Sequence, residues 1–420
     1  MIALVDCNNF YASCERLFAP QLNNKPIVIL SNNDGCVISR SNEAKELGIE
    51  MGAPAFMMEE MLNRNQVAIF SSNYTLYGSI SNRVMQTLNE FVPQMEVYSI
   101  DEAFLNLDQF KHTDLFQLAK KIRNTIILHV GIPVTIGIAP TKTLAKMANR
   151  YAKKERKAEG IYLAETQEQI NELLAYTRVE DIWGIGSEHS KKLAQQKIFT
   201  AAQLISLSEE WIRKNMTVTG QRMFNELKAV PCIGWEWMPA PRKAICTARS
   251  FGQLLSSFED IREALANYAG NCARKMRNQQ SCTNLVQVFL QTNTHRTQDK
   301  QYFRSVNIQL PVATNDSGAI IAAALKGLRV IYREGYNFKK VGVMVLDLVP
   351  EQSVQLGVFD HTNHQRSKQA MAAFDSINTR FGKDIVRYAV QGYKKKWKLK
   401  QERLSPCYTT NINEVLTIKN

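Results

Sequence analysis

Residues 1–18 read MIALVDCNNFYASCERLF, and the order strand, acid, helix within them decides the fold. Ile2–Val5 is a short apolar, β-prone run, Asp6 follows it at once, and Asn9–Phe18 has the composition of a helix. Working outward, KPIVIL (25–30) is a second buried strand bounded by Pro26. NNDG (32–35) is turn chemistry, residues 42–47 are helical and stop at the C-cap Gly48, and a short strand lies between Val67 and Ser71. LYGSISNRVMQTLNEF (76–91) repeats apolar residues at helical spacing and ends before Pro93. VYSIDEAFLNL (97–107) is strand-like and carries two carboxylates. A helix over 116–128, a strand over 134–138, a lysine- and arginine-dense helix over 143–154 and a strand from Gly160 continue the alternation. Such alternation predicts a mixed sheet with helices packed against it, here placed at 1–168.

From 169 to 237 the strand signal fades into short helices, with a turn at WGIG (183–186), and Pro239 and Pro241 mark a linker. Residues 243–350 carry a second α/β pattern, with strands near 247–251, 285–290, 303–309 and 340–346 and helices near 258–277 and 318–333. Residues 351–420 are polar and basic with little apolar periodicity. The expected class is α+β and multidomain, and 420 residues suit two to four domains. With 45% hydrophobic and 22% charged residues the chain is globular, not disordered. A net charge of +13 favours a polyanionic partner, nucleic acid before an anionic membrane, beside the plainer reading of a merely basic enzyme. Eight cysteines without a CxxC pair and six histidines without HExxH give no disulfide framework and no structural zinc. The apolar run before Asp6 is too short for a secretory signal and no stretch approaches a membrane span, so a cytoplasmic protein with no membrane contact is expected.

Asp6 ends the first strand, and Asp101 and Glu102 interrupt the apolar stretch SIDEAF. Buried charges are costly unless neutralised. One neutraliser is metal: three carboxylates from two neighbouring strands could hold Mg²⁺, and two such ions about 4 Å apart clamp a phosphoryl transfer. Adjacent strand residues point to opposite faces, so both acids reach one site only if the strand bends or Glu102 wraps back. The other reading makes Asp101 and Glu102 a solvent-exposed turn. Lys142, Lys146, Arg150 and Lys153 recur three to four residues apart as one stripe, either phosphate-facing or simply solvated. The Gly184–Gly186 turn offers backbone N–H groups to a phosphate or is only a tight turn, and Phe10 and Tyr11 alone read as core.

Taken together, DCNNFYASCE (6–15), YSIDEAFLNL (98–107) and GIAPTKTLAKMAN (137–149) resemble the Y-family of translesion DNA polymerases, and within it the catalytic subunits of the bacterial SOS response. VILSNNDGCVISRSNEAKELGI (28–49), FSSNYTLY (70–77) and LSPCYTTN (404–411) extend the likeness over essentially the whole chain. It implies a right-hand-like polymerase. The palm would be 1–168 with fingers inserted at about 22–70, and the helical thumb with its helix-hairpin-helix 169–237. The little finger, a DNA-binding α/β domain, would be 243–350, and a partner-binding tail 351–420.

The resemblance also implies roles. Two Mg²⁺ would be held by Asp6, Asp101, Glu102 and the backbone carbonyl of Cys7, for in-line attack of a primer 3′-oxygen on the α-phosphate, error-prone and past damaged bases. Tyr11 matches the steric gate that rejects ribonucleotides, with Phe10 as its neighbour, and Ser39, Lys45 and Lys153 match triphosphate contacts. Arg40 faces either solvent or the templating base. Lys146, Arg150, Gly184, Gly186, Lys191, Lys192, Arg249 and Arg304 are the implied DNA contacts, none of which reads sequence. Gln355, Leu356 and Phe359 resemble a sliding-clamp motif, from which Gly357 and Val358 depart. The implied partners are primer–template DNA, deoxynucleoside triphosphates, a cleaved UmuD-type dimer, a RecA filament and the sliding clamp. The basic run 393–400 suits single-stranded DNA or a protein face. Two rivals lack support in the residues. A DNA-binding assembly factor with little synthesis of its own would not need three acids, and a nucleotidyl cyclase would not need a thumb hairpin.

Overall fold

The opening apolar run becomes β1 (Ile2–Cys7), the central strand of a five-stranded sheet, in a computed structural model that describes residues 1–238, 240–355, 357, 363–382, 384–393 and 397–417. In chain order there follow α1 (Phe10–Phe18), β2 (Ile27–Leu30), β3 (Val37–Arg40), α2 (Asn42–Glu46), α3 (Glu59–Arg64), β4 (Ala68–Ser71) and α4 (Tyr74–Phe91). Then come β5 (Met95–Val97), β6 (Glu102–Asn106), α5 (Leu115–Val130), β7 (Val134–Ala139), α6 (Lys142–Glu155) and β8 (Ile161–Leu163). The sheet order is β5-β6-β1-β7-β8, with β1 antiparallel to both neighbours. The run is apolar throughout because both faces of β1 are covered. Ala3, Val5 and Cys7 join a core with Phe10, Ile80 and Ile122, while Ile2 and Leu4 join one with Leu144, Ala145 and Ala148 of α6. A second sheet, β3-β2-β4, has its own small core of Val28, Leu30, Val37, Ile49 and Leu62.

Helices α7 (Gln167–Tyr176), α8 (Ser187–Gln195), α9 (Ala201–Ile205) and α10 (Glu209–Leu227) complete this part of the chain. They belong with both sheets to one compact unit, made of Met1–Ser31, Gly35–Pro239 and Glu402–Asn420. The other unit is Asn32–Asp34 with Ala240–Gln401. It contains β9 (Ile245–Leu255), α11 (Phe258–Asn278), β10 (Ser281–Thr292), β11 (Phe303–Thr314), α12 (Ser317–Ile331) and β12 (Phe338–Leu346). Its antiparallel sheet runs β11-β10-β12-β9 with α11 and α12 on one face, the two helices over four strands that the sequence pattern predicts.

The C-terminal stretch departs from expectation. Residues 351–420 lack apolar periodicity, yet His364–Arg380 forms a 17-residue helix, α13. Among its residues only Met371 is buried, and polar contacts hold it: Arg277 makes a bidentate pair with Asp375 at 2.6 and 2.8 Å, and Ser367 donates to Asp316 at 2.7 Å. The region expected as one tail is also divided, for residues from 402 onward return to the first unit. All eight cysteines are free, and no helix among the described residues is long and apolar enough to cross a membrane.

Candidate active site

Strand periodicity aims the acids. Ile2 and Leu4 face α6, so Asp6, two residues on, faces it too. Lys153 of α6 meets it, Nζ to Oδ1 2.6 Å. Glu102 lies opposite Asp6 in the β1–β6 register and therefore shares its face, where Lys146 of α6 lies 2.9 Å away. Helix α6 comes this close because Gly137 of β7 has no side chain. A Cβ there would stand 2.1 Å from the Asn149 nitrogen and 2.5 Å from the Ala145 carbonyl oxygen. The Asn149 amide then donates to the carbonyls of Leu4 and Thr135, at 3.3 and 2.7 Å.

Asp101 stands outside the ladder, in the bend before β6. Its carbonyl accepts the Cys7 N–H at 2.9 Å, and its carboxylate accepts the Ser99 hydroxyl at 2.6 Å. The bend answers the objection that adjacent strand residues diverge, and the acids are not an exposed turn, both being partly buried.

An open cleft of about 470 Å³ is lined by Asp6, Cys7, Phe10, Tyr11, Ser39, Arg40, Lys45, Asp101 and Lys153. Residues picked from four separate stretches of sequence thus meet at one place, with Glu102 beside them on the α6 side. A second cleft, about 500 Å³, shares Lys45 and Lys153 and adds Arg150, Lys154 and Lys157. Asn9, which sequence reasoning passed over, connects the parts: its side chain accepts Lys45 Nζ at 2.6 Å and donates to Asn42 at 3.0 Å. Its φ of 48° is a left-handed conformation that asparagine tolerates, a signal present in the NN pair. Burial pushes the Asp6 acid from 3.8 up to about 6, opposed by Lys153 and assisted by Glu102 and Asp101.

This donor set is all oxygen, the chemistry of a hard divalent cation, and the three acids carry more negative charge than Lys153 and Lys146 balance. In donor chemistry the residues fit such an ion. As placed, no three His, Cys, Asp or Glu among the described residues form a group that could hold one, and Lys153 and Lys146 pair with Asp6 and Glu102.

Other expected contacts are dispersed. Lys142 is not on a phosphate-facing stripe. It is 1% exposed, paired with Glu96 at 2.6 Å and set over the ring of Trp235. Four-residue spacing does not tell the covered side of a helix from the open one. Lys146 lies over the Tyr98 ring, and Arg150 pairs with Asp181 at 2.6 Å. Gly184 and Gly186 are exposed on either side of buried Ile185, Gly184 at a φ of +95° that a side chain would resist. Lys191 and Lys192 are exposed nearby. Arg249 and Arg304 are exposed at the two edge strands, but their register row runs through Leu290 and Val341, which face the helices. The open face of that sheet carries Gln287, Asn307 and Lys340 instead. Gln355 is exposed, and Leu356 and Phe359 lie outside the described residues.

Residues 5–150 match the impB/mucB/samB family and 242–358 that family's C-terminal domain, while 368–418 match a domain of unknown function. Protein UmuC of Salmonella typhimurium is 41% identical over 423 residues, covering 100% of both chains. Protein ImpB from Salmonella typhimurium is 39% identical over 99% of each chain. Among solved structures, a Y-family DNA polymerase chimera of Dbh and Dpo4 superposes with a TM-score of 0.65 at 21% identity, over 83% of this chain and 99% of that one, a likeness of fold.

Proposed function

Because the chain belongs to the impB/mucB/samB family of Y-family translesion DNA polymerases, we propose that the cleft beside Asp6 extends a primer 3′-end opposite damaged template bases. Membership makes the chain a divalent-metal-dependent nucleotidyltransferase of the SOS response. The observation that carries the residue assignment is the convergence of Asp6, Tyr11, Ser39, Lys45, Asp101 and Lys153 on one cleft.

In this reading Asp6, Asp101, Glu102 and the Cys7 carbonyl would hold two Mg²⁺, whose chemistry would be to make the primer hydroxyl more acidic and to offset charge on the phosphoryl group. Lys45 and Lys153 exchange Asn9 and Asp6 for the outer phosphates, and the Ser39 hydroxyl donates to the same oxygens. Tyr11 presents its ring to the sugar, where a 2′-hydroxyl would collide, and buried Phe10 backs it. The Gly184–Gly186 turn with Lys191 and Lys192 grips duplex phosphates without reading sequence. The cleaved UmuD-type dimer, the RecA filament and the sliding clamp are the partners proposed, the last through Gln355 and its neighbours.

Primer extension tests this. The full chain with Mg²⁺, the partner proteins and undamaged or abasic template should extend, and Asp101→Ala should not. If both proteins bind DNA and neither extends it under any partner combination, the chain acts as an assembly factor instead.

A further inference from the structure

The aromatic wall of the cleft is tied to the far end of the chain. Tyr11 stacks on Tyr77 of α4, ring centroids 4.5 Å apart and planes 14° from parallel. Tyr77 is fully buried, and its hydroxyl donates to Glu15 Oε1 at 2.6 Å. Glu15 sits four residues after Tyr11 on α1, hence on the same helix face, and is 2% exposed. The same Oε1 accepts the Ser405 hydroxyl at 2.9 Å. Around Ser405 the returning chain follows the start of α4. The Asn73 amide, whose carbonyl caps that helix, donates to the Ser405 carbonyl at 2.9 Å. Backbone and side chain of Ser71 bond Arg403, Thr409 donates to Ser79 at 2.9 Å, and Tyr408 stacks on Phe18 at 4.6 Å.

A buried carboxylate is a costly way to fill space, and a leucine would pack there more cheaply. What it adds is direction. A phenol held at its hydroxyl by a carboxylate that a second hydroxyl also holds cannot tilt or slide freely, and the ring stacked on it inherits that constraint.

We propose that Glu15 and Ser405 are positioning residues for Tyr11: through Tyr77 they set how far its ring enters the cleft, so that the C-terminal segment tunes discrimination between deoxyribose and ribose. The proposal rests on Tyr11 acting as the sugar gate. Ser405 does not line the cleft, so a change in selectivity on its substitution cannot come from direct contact with the nucleotide.

The test is single-nucleotide insertion by the full chain with its partner proteins and Mg²⁺, comparing kcat/KM for a deoxynucleotide and its ribonucleotide. Tyr11→Ala should raise relative ribonucleotide use strongly. Ser405→Ala and Tyr77→Phe should raise it about tenfold, through a lower KM for the ribonucleotide, as loss of a charge-assisted hydrogen bond allows. Ser405→Thr, which keeps the hydroxyl, should hold the parent ratio, and Ser405→Ala should change deoxynucleotide insertion little. If Tyr11→Ala raises the ratio and neither Ser405→Ala nor Tyr77→Phe does, the positioning role is refuted and the gate stands. If Tyr11→Ala leaves the ratio unchanged, the gate reading fails and takes the inference with it. Equal loss of both insertions with a lowered Tm would make the contact purely structural and overturn the proposal.

Discussion

A carboxylate stripped of water holds its proton to higher pH, and Asp6 and Glu15 both show it. For Glu15 burial is the main cause, outweighing the hydrogen bonds from Tyr77 and Ser405, and the acid sits above its ordinary 4.5. In the pH window between the unfolded and folded values, the folded chain therefore keeps a proton that the unfolded chain has released, and above that window Glu15 is a carboxylate. Stability linked to Glu15 falls as pH rises from about 4.5 through the folded value, and nothing is lost below it. Glu15→Gln is neutral at every pH. Its Tm should gain on the parent as pH rises through that window, and a difference that stays constant from acid to neutral pH would show that folding does not raise the affinity of Glu15 for its proton. The acids at the cleft could be picked out in the sequence because Asp6, Asp101 and Glu102 interrupt apolar stretches. Glu15 was not, since within FYASCE it looks like any surface acid of a helix, and its partner Ser405 is 390 residues away.

Helix α6 acts as an element, carrying Lys146 to Glu102 and Lys153 to Asp6 on one rigid face. Its seat is Gly137, where an added methyl meets backbone on the helix rather than a yielding side chain. Gly137→Ala should cost about 1–3 kcal/mol of stability by overpacking and reduce primer extension with it, since both lysines move with the helix. Normal extension with an unchanged denaturation midpoint would mean that the close approach is not needed. At the start of α6, Lys142 pairs with Glu96 away from water and also donates to the Gly234 carbonyl at 2.7 Å. Lys142→Ala leaves Glu96 buried without its cation and should lose about 3–5 kcal/mol in denaturant unfolding, Lys142→Met less. A loss no larger than that of an exposed surface lysine would refute the pairing. The extents of α4, α5 and α6 could be read from apolar spacing and caps. The side on which Lys142 lies could not, because every fourth residue fits a stripe whichever way it faces. Helix α13 escaped because it is held by ion pairs, which leave no periodic trace.

For the molecule as a whole the surplus of +13 favours a polyanionic partner, but a charge total does not say which surface meets it. A single sequence shows that β9 and β11 are strands, yet their register comes only from pairing with β12 and β10, and a shift of one residue exchanges the covered and open faces. Hence Arg249 and Arg304, chosen as basic residues on strands, fall in the helix-side row, and Lys340 comes to the open face. Salt dependence of DNA binding separates the two. If six to ten phosphates are contacted, affinity should fall by about 10³–10⁵ between 50 and 200 mM salt, as each neutralised phosphate releases counterion. In a plot of log affinity against log salt, Lys340→Ala should flatten the slope by about one, as should Lys191→Ala at the thumb turn, while Arg249→Ala should leave it nearly unchanged. Fluorescence anisotropy on a primer–template duplex measures all three. A slope altered by Arg249→Ala and not by Lys340→Ala would put the duplex at the sheet's edge rather than on its open face, and the register argument for the DNA-facing surface would then be wrong.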